Sequence, residues 1–297
     1  MNPLTFLGLA ISLVVAALSA QKPAQFQATP KNTTQPPAQI SYSVRPIQKA
    51  GSTKPNIAAS SALAYDIDSG VMLLQKDIDS KRPIASINKL MTALVIMEGH
   101  KPNEVVTVKD LPELGLYDQK IGIKNGEEFE LIELLKATLI QSANDAANAL
   151  AIHDSGSIEK FTQKMNQKAN DWGLENSKYS NANGLEGGDD YSSAHDVLTL
   201  ANLLYTNKTF EQIVATRSDT ITNLSGKSYP ITTTNKILGQ NGISGIKTGY
   251  TLKAGECLVT VTKRNGHSVI TVVLDSPDRF QESKNMIDWS FNNYIWQ

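Results

Sequence analysis

Strand-like runs stand near the two ends of the folded part of this chain and helical patterns fill the middle, an order that restricts the fold more than any single motif. Residues 62–66 and 71–74 flank Asp68-Ser69-Gly70, a hairpin signature. Residues 244–251, 256–263 and 268–274 are strand-like, with Asn265-Gly266 marking the turn between the last two. Helical spacing or composition covers 87–98, 131–140, 144–153, 157–172, 193–206 and 209–216, and a last helix closes the chain over 280–294. Strands at both ends with helices inserted between them predict an α/β protein. Its antiparallel sheet draws on both ends of the domain and is flanked by helices, beside an all-helical lobe.

The segment ahead of this unit has a different character. Residues 4–18 are almost wholly apolar and Leu18-Ser19-Ala20 offers small residues for a signal peptidase, so residues 1–20 read as a signal peptide or N-terminal membrane anchor. Residues 21–55 hold six of the twelve prolines among Gln, Thr, Ala and Lys, and read as a disordered linker. The folded unit is then expected from Asn56 to Gln297. These features place the protein outside the cytoplasm, secreted or attached to the membrane through its N-terminal segment only.

A formal net charge of −1 gives no basic excess for nucleic acid. Four scattered histidines and one cysteine form no metal-binding spacing, so neither a metal nor another cofactor is expected. Cys257 sits in an apolar run without a partner and reads as a buried filler.

Three strings carry the chemistry, in this order: Ser86-Ile87-Asn88-Lys89, Ser142-Ala143-Asn144 and Lys247-Thr248-Gly249. Each alone is weak, because S-x-x-K recurs at Ser157 and Ser244, and S-x-N at Ser86, Ser283 and Ser290. Their context selects them. Pro83 breaks any earlier helix, so Ser86 falls at or just inside a helix start, and Lys89 follows one turn later on the same face. Residues 90–97 are apolar nearly all round, which predicts a buried helix. A lysine one turn ahead of such a run needs a reason other than solvation.

A serine hydroxyl becomes a good nucleophile when a base takes its proton, and lysine serves as that base only when neutral. Burial and a second cation both favour the neutral amine, and Lys247 is the candidate cation. Ser142 is placed to relay a proton and Asn144 to hold Lys89 and a substrate amide, although either residue would also serve as an ordinary helix cap. Lys247 and Thr248 suit a terminal carboxylate, and their strand offers an edge to an extended peptide. The amides of Ser86 and Tyr250 are candidates for an oxyanion hole.

With these strings in place, the chain resembles the serine penicillin-binding D-alanyl-D-alanine carboxypeptidases of the S11 peptidase type. The likeness extends from about Ile57 to Tyr294 and includes Gln141 to Ala147 (QSANDAA), Asn183-Gly184-Leu185, Tyr191 to Asp196 (YSSAHD) and the block around Gly249. Departures are small: Asn88 stands where threonine is frequent, and Tyr250 where histidine is frequent. The resemblance implies a β-lactamase/transpeptidase-like fold, Ser86 as the acylated nucleophile and Lys89 as its base. It also implies Ser142 and Asn144 as the second catalytic element, with Lys247, Thr248, Gly249 and Tyr250 binding substrate beside an arginine that Arg279 matches loosely.

The implied partners are peptidoglycan stem peptides, with β-lactams as covalent inhibitors. A D,D-endopeptidase of cross-links and a non-hydrolysing β-lactam sensor are the alternative readings; a class A β-lactamase would need a deacylating carboxylate such as Glu175 or Glu186. His195-Asp196 reads as a helix start capped by Ser192 or Ser193, not as part of a triad. The acidic set Glu127, Glu128, Glu130 and Glu133 reads as a solvated helix entrance.

Overall fold

The computed structural model describes residues 45–297. Strand β1 (Pro46–Gln48) leads into the hairpin of β2 (Ser61–Asp66) and β3 (Val71–Lys76). A 3₁₀ turn over Ala85–Asn88 then runs directly into α1 (Lys89–Gly99), followed by the short pair β4 (Val105–Thr107) and β5 (Glu128–Glu130). The helical lobe continues with α2 (Leu131–Ile140), α3 (Asn144–Ser155), α4 (Ile158–Asp171), α5 (Ala194–Tyr205) and α6 (Lys208–Val214). A small ribbon, β6 (Ser218–Thr222) with β7 (Ser228–Thr232), precedes the meander β8 (Ile243–Thr251), β9 (Gly255–Arg264) and β10 (His267–Ser276). Helix α7 (Arg279–Asn293) and β11 (Tyr294–Trp296) end the chain.

The five-stranded sheet has the order β3-β2-β10-β9-β8, all antiparallel, so the N-terminal hairpin joins the C-terminal meander where β2 pairs β10. Strand alternation sorts side chains between two cores. Leu63, Ile270, Val272 and Leu274 face a large core shared with the helical lobe, whereas Ala62, Ala64, Val269 and Val273 pack with Met286 and Trp289 of α7. Helix α1 runs through the larger core, with every residue from Lys89 to Ile96 buried. That matches the unbroken apolar pattern of 90–97 and fixes the turn that precedes it.

The folded unit begins earlier than Asn56. Gln48 and Pro46 pair with Tyr294 and Trp296 of β11, and the Trp289 indole donates to the Thr53 carbonyl at 2.7 Å. A proline-rich stretch reads as linker in isolation, yet a paired strand and an anchored carbonyl give its last part partners from the distant C-terminus. The proposed leader and residues 21–44 of the linker lie outside the described residues. Among the described residues no helix is long and apolar enough to cross a membrane.

Candidate active site

Ser86 sits in the 3₁₀ turn ahead of α1, and the local backbone is held in an unusual shape. Ala85 has φ 48°, a left-handed conformation that costs a non-glycine residue roughly 1–3 kcal/mol and persists when its surroundings over-determine it. Two glycines allow those surroundings to close in. A Cβ on Gly184 would lie 2.1 Å from the Ala85 carbonyl oxygen, and one on Gly249 would lie 2.7 Å from that of Ile84. The glycine of Lys247-Thr248-Gly249 therefore lets β8 pass against the serine turn.

The 3₁₀ geometry nearly eclipses positions three apart, and the Lys89 amine reaches back to Ser86 Oγ at 2.9 Å. Lys89 is fully buried, with its Nζ also 2.7 Å from Asn144 Oδ1 and within hydrogen-bond reach of the Asn183 carbonyl. A neutral amine has two N–H donors and one lone pair. The two oxygens of Asn144 and Asn183 take the donors, leaving the lone pair for the Ser86 hydroxyl proton. Burial first, and then the positive charge of Lys247, push Lys89 well below the usual lysine pKa.

Neither Ser142 nor Asn144 caps a helix. The N-cap position of α3 is Ala143 and no side chain bonds there. Ser142, at φ 64°, turns its hydroxyl to accept from Lys247 Nζ at 2.8 Å. Lys247 is buried on β8 and also donates to the Thr248 carbonyl at 2.9 Å. Burial, with the Arg279 guanidinium as the second cause, holds it down to about 7. The site thus places two lysines, one on either side of the Ser142–Asn144 corner, behind a single serine.

In front of them opens a cleft of about 640 Å³ lined by Ser86, Ser142, Asn144, Thr248, Gly249, Tyr250 and Arg279. Arg279 begins α7 and donates through Nη1 to the Gly249 carbonyl at 2.6 Å, while its Nε is buried without a partner. The three strings, Tyr250 and Arg279 thus converge on one cleft, with the Lys89 and Lys247 amines bonded to Ser86 and Ser142 behind its lining.

Other members carry no role that the sequence assigns to them. Thr234 hydrogen-bonds the Thr248 hydroxyl at 2.5 Å and lines the cleft. Asn183 contributes a backbone carbonyl, which leaves no mark in a sequence beyond the glycine beside it. A loop carrying Tyr117, Asp118 and Gln119 also lines the cleft. It is pinned by Asn144 N donating to the Gln119 carbonyl, and by Asp145, whose carboxylate accepts from the amides of Ile121, Gly122 and Ile123.

His195 lies apart, 3.1 Å from Asp79, and Ser193 caps α5 by accepting from Asp196 N. The acidic set is only partly a helix entrance: Glu128 and Glu130 belong to β5, and Glu127 takes hydrogen bonds from Lys227 and Tyr229.

A serine, two buried lysines, an asparagine and an edge strand meet where the sheet joins the helical lobe, an arrangement chemically equipped for serine acyl transfer with lysine as the base. Residues 48–278 match the peptidase S11 model, described as D-alanyl-D-alanine carboxypeptidase, and the chain belongs to that family. It is 32% identical over 246 residues to the D-alanyl-D-alanine carboxypeptidase DacF of Bacillus subtilis, a match covering 80% of this chain and 63% of that protein. To the D-alanyl-D-alanine endopeptidase of Escherichia coli it is 33% identical, over 75% of this chain and 73% of that one. Penicillin-binding protein D2 of Listeria monocytogenes, solved with ampicillin bound, superposes with a TM-score of 0.69 at 29% identity, covering 80% of this chain and 99% of that one.

Proposed function

We propose that this chain is a D-alanyl-D-alanine carboxypeptidase that trims the terminal D-alanine from peptidoglycan stem peptides on the outer side of the cytoplasmic membrane. The observation that carries the reading is the buried Lys89 amine, 2.9 Å from Ser86 Oγ with its two donors already engaged. Ser86 Oγ attacks the carbonyl carbon between the last two D-alanines as its proton passes to Lys89. The backbone amides of Ser86 and Tyr250 stabilise the oxyanion. The C–N bond breaks, and the proton reaches the leaving amine through Lys89 or through Ser142 and Lys247. Water then hydrolyses the Ser86 ester and regenerates the hydroxyl.

The substrate carboxylate is assigned to Thr248, Thr234 and Arg279, which line the cleft, with the buried Lys247 amine behind them. The peptide backbone extends β8 as an added strand, and Tyr250 and Leu252 are exposed on that side. A β-lactam presents a strained amide and a carboxylate at similar spacing and would acylate Ser86 irreversibly or slowly reversibly.

Incubation with a pentapeptide stem and with a cross-linked dimer tests this reading. Release of free D-alanine from the pentapeptide, abolished in Ser86→Ala, is the expected result. The likeness to the Escherichia coli endopeptidase gives a second reading, in which the dimer is cleaved faster. A stable penicillin adduct with turnover of neither substrate would replace both with a sensor.

A further inference from the structure

We propose a divalent-metal site, suited to zinc, formed by His100, Glu104 and His153 where α1 and α3 end, at the opposite ends of these helices from the Lys89–Asn144 contact. His100 is the C-cap residue of α1, His153 lies in the last turn of α3, and Glu104 immediately precedes β4. One ligand atom from each lies within 4.8 Å of the others. His100 Nδ1 is 2.7 Å from Glu104 Oε2, and His153 Nε2 is 3.8 Å from the same oxygen. Zinc bonds of about 2.0–2.1 Å at tetrahedral angles separate ligand atoms by roughly 3.3 Å, so the shorter gap must open and the longer one close by about half an ångström.

The supporting groups are arranged for a cation. The second nitrogen of His100 lies 2.9 Å from Asp154 Oδ1, a carboxylate that fixes the ring and leaves Nδ1 as the ligand atom. Lys164 and Ser155 in turn hold Asp154. The other oxygen of Glu104 accepts from Lys101 N at 2.7 Å, which keeps Oε2 turned toward the histidines. Two helices end at this place, and the carbonyl ends of α1 and α3 both favour positive charge. Paired imidazoles with one carboxylate favour zinc over magnesium or calcium, which prefer all-oxygen shells. Three protein ligands leave a further position for water, consistent with the partial exposure of Glu104.

The position gives the metal a task. Helices α1 and α3 are tied at their catalytic ends by the Lys89–Asn144 hydrogen bond, and the metal would tie them at the opposite ends. It would act as a staple on the helical lobe and take no part in acyl transfer.

Tag-free protein stripped with chelator, then dialysed against ZnCl2, provides the test. Wild type is expected to retain about one zinc per chain and to melt ~5 °C higher at roughly a hundredfold excess over the dissociation constant. His153→Gln and Glu104→Gln should lose both responses, and His195→Gln, at an exposed histidine elsewhere, should keep them. Fluorescent-penicillin labelling of each variant verifies that it folds, since none of these residues touches the serine. Labelling-competent wild type that retains no zinc, or variants that retain as much as wild type, would overturn the proposal and leave His100 as a hydrogen-bonding bridge between Glu104 and Asp154.

Discussion

Gly249 passes so close to Ile84 that an added Cβ would stand 2.7 Å from the Ile84 carbonyl oxygen, with Ile87 and Ala85 only slightly farther. The strand bearing Lys247 and the turn bearing Ser86 are thereby set against each other by a missing side chain.

Gly249→Ala should force that contact apart. Displacement of the reacting groups by about 1 Å costs on the order of a hundredfold in rate, so acylation by a fluorescent penicillin should slow by ~100-fold. A time course of labelling reads this directly, and an unchanged rate constant would remove the proposed role of the close approach.

Lys247→Gln tests the electrostatics of the base. Acylation needs neutral Lys89, so its rate rises as pH climbs through the Lys89 pKa. The Lys247 charge is one of the two main influences holding that pKa down. Its removal should raise the Lys89 pKa and move the ascending limb of the acylation profile to higher pH. A limb that stays put or moves lower contradicts the coupling of the two lysines.

The same lysine burdens folding. Lys247 titrates near 7 when folded and near 10.5 when unfolded, so the unfolded chain binds more protons between those values. Both states are protonated below pH 7, where the cost of burying the ammonium is complete, and it fades as pH rises toward 10.5. Lys247→Met should therefore melt higher than wild type at pH 6, with the advantage shrinking by pH 9. Thermal scans across that range decide it, and a gap that widens with pH would falsify the assignment.

Arg279→Gln should separate substrates by their terminal group. A hydrogen bond to a charged partner contributes about 1.5–3 kcal/mol, so kcat/KM for a peptide with a free carboxylate should drop roughly 10- to 100-fold. The amidated peptide should lose far less. Equal losses for both would mean that Arg279 supports the Gly249 carbonyl and does not bind the substrate carboxylate.

Much of this architecture is legible in the sequence because its periodicities are long. The meander strands and the helices from α1 to α7 fall within a few residues of the hydrophobic patterns that announce them. The pairs β1–β11 and β4–β5 do not, since three residues are too few to show alternation and their partners lie far along the chain. Strand β7 also carries Pro230, which argues against a strand when read locally.

The site divides in the same way. Ser86, Lys89, Ser142, Asn144 and Lys247 are legible because their side-chain types and order are distinctive. Thr234 is one of three consecutive threonines, and only the fold selects which one meets Thr248. The Asn183 carbonyl has no side-chain signature. His100 and Glu104 are four apart, but Pro102 lies between them and breaks the helical reading, while His153 comes from another helix.

Pairing of β2 with β10 has a consequence for biosynthesis. A growing polypeptide that has already delivered Ser86, Lys89 and Asn144 still lacks Lys247, the edge strand and Arg279, and its first hairpin has no neighbour to join. Reactivity toward penicillin should thus arise abruptly, only once synthesis has passed β10 and Arg279, so that shorter translation products stay inert to the drug.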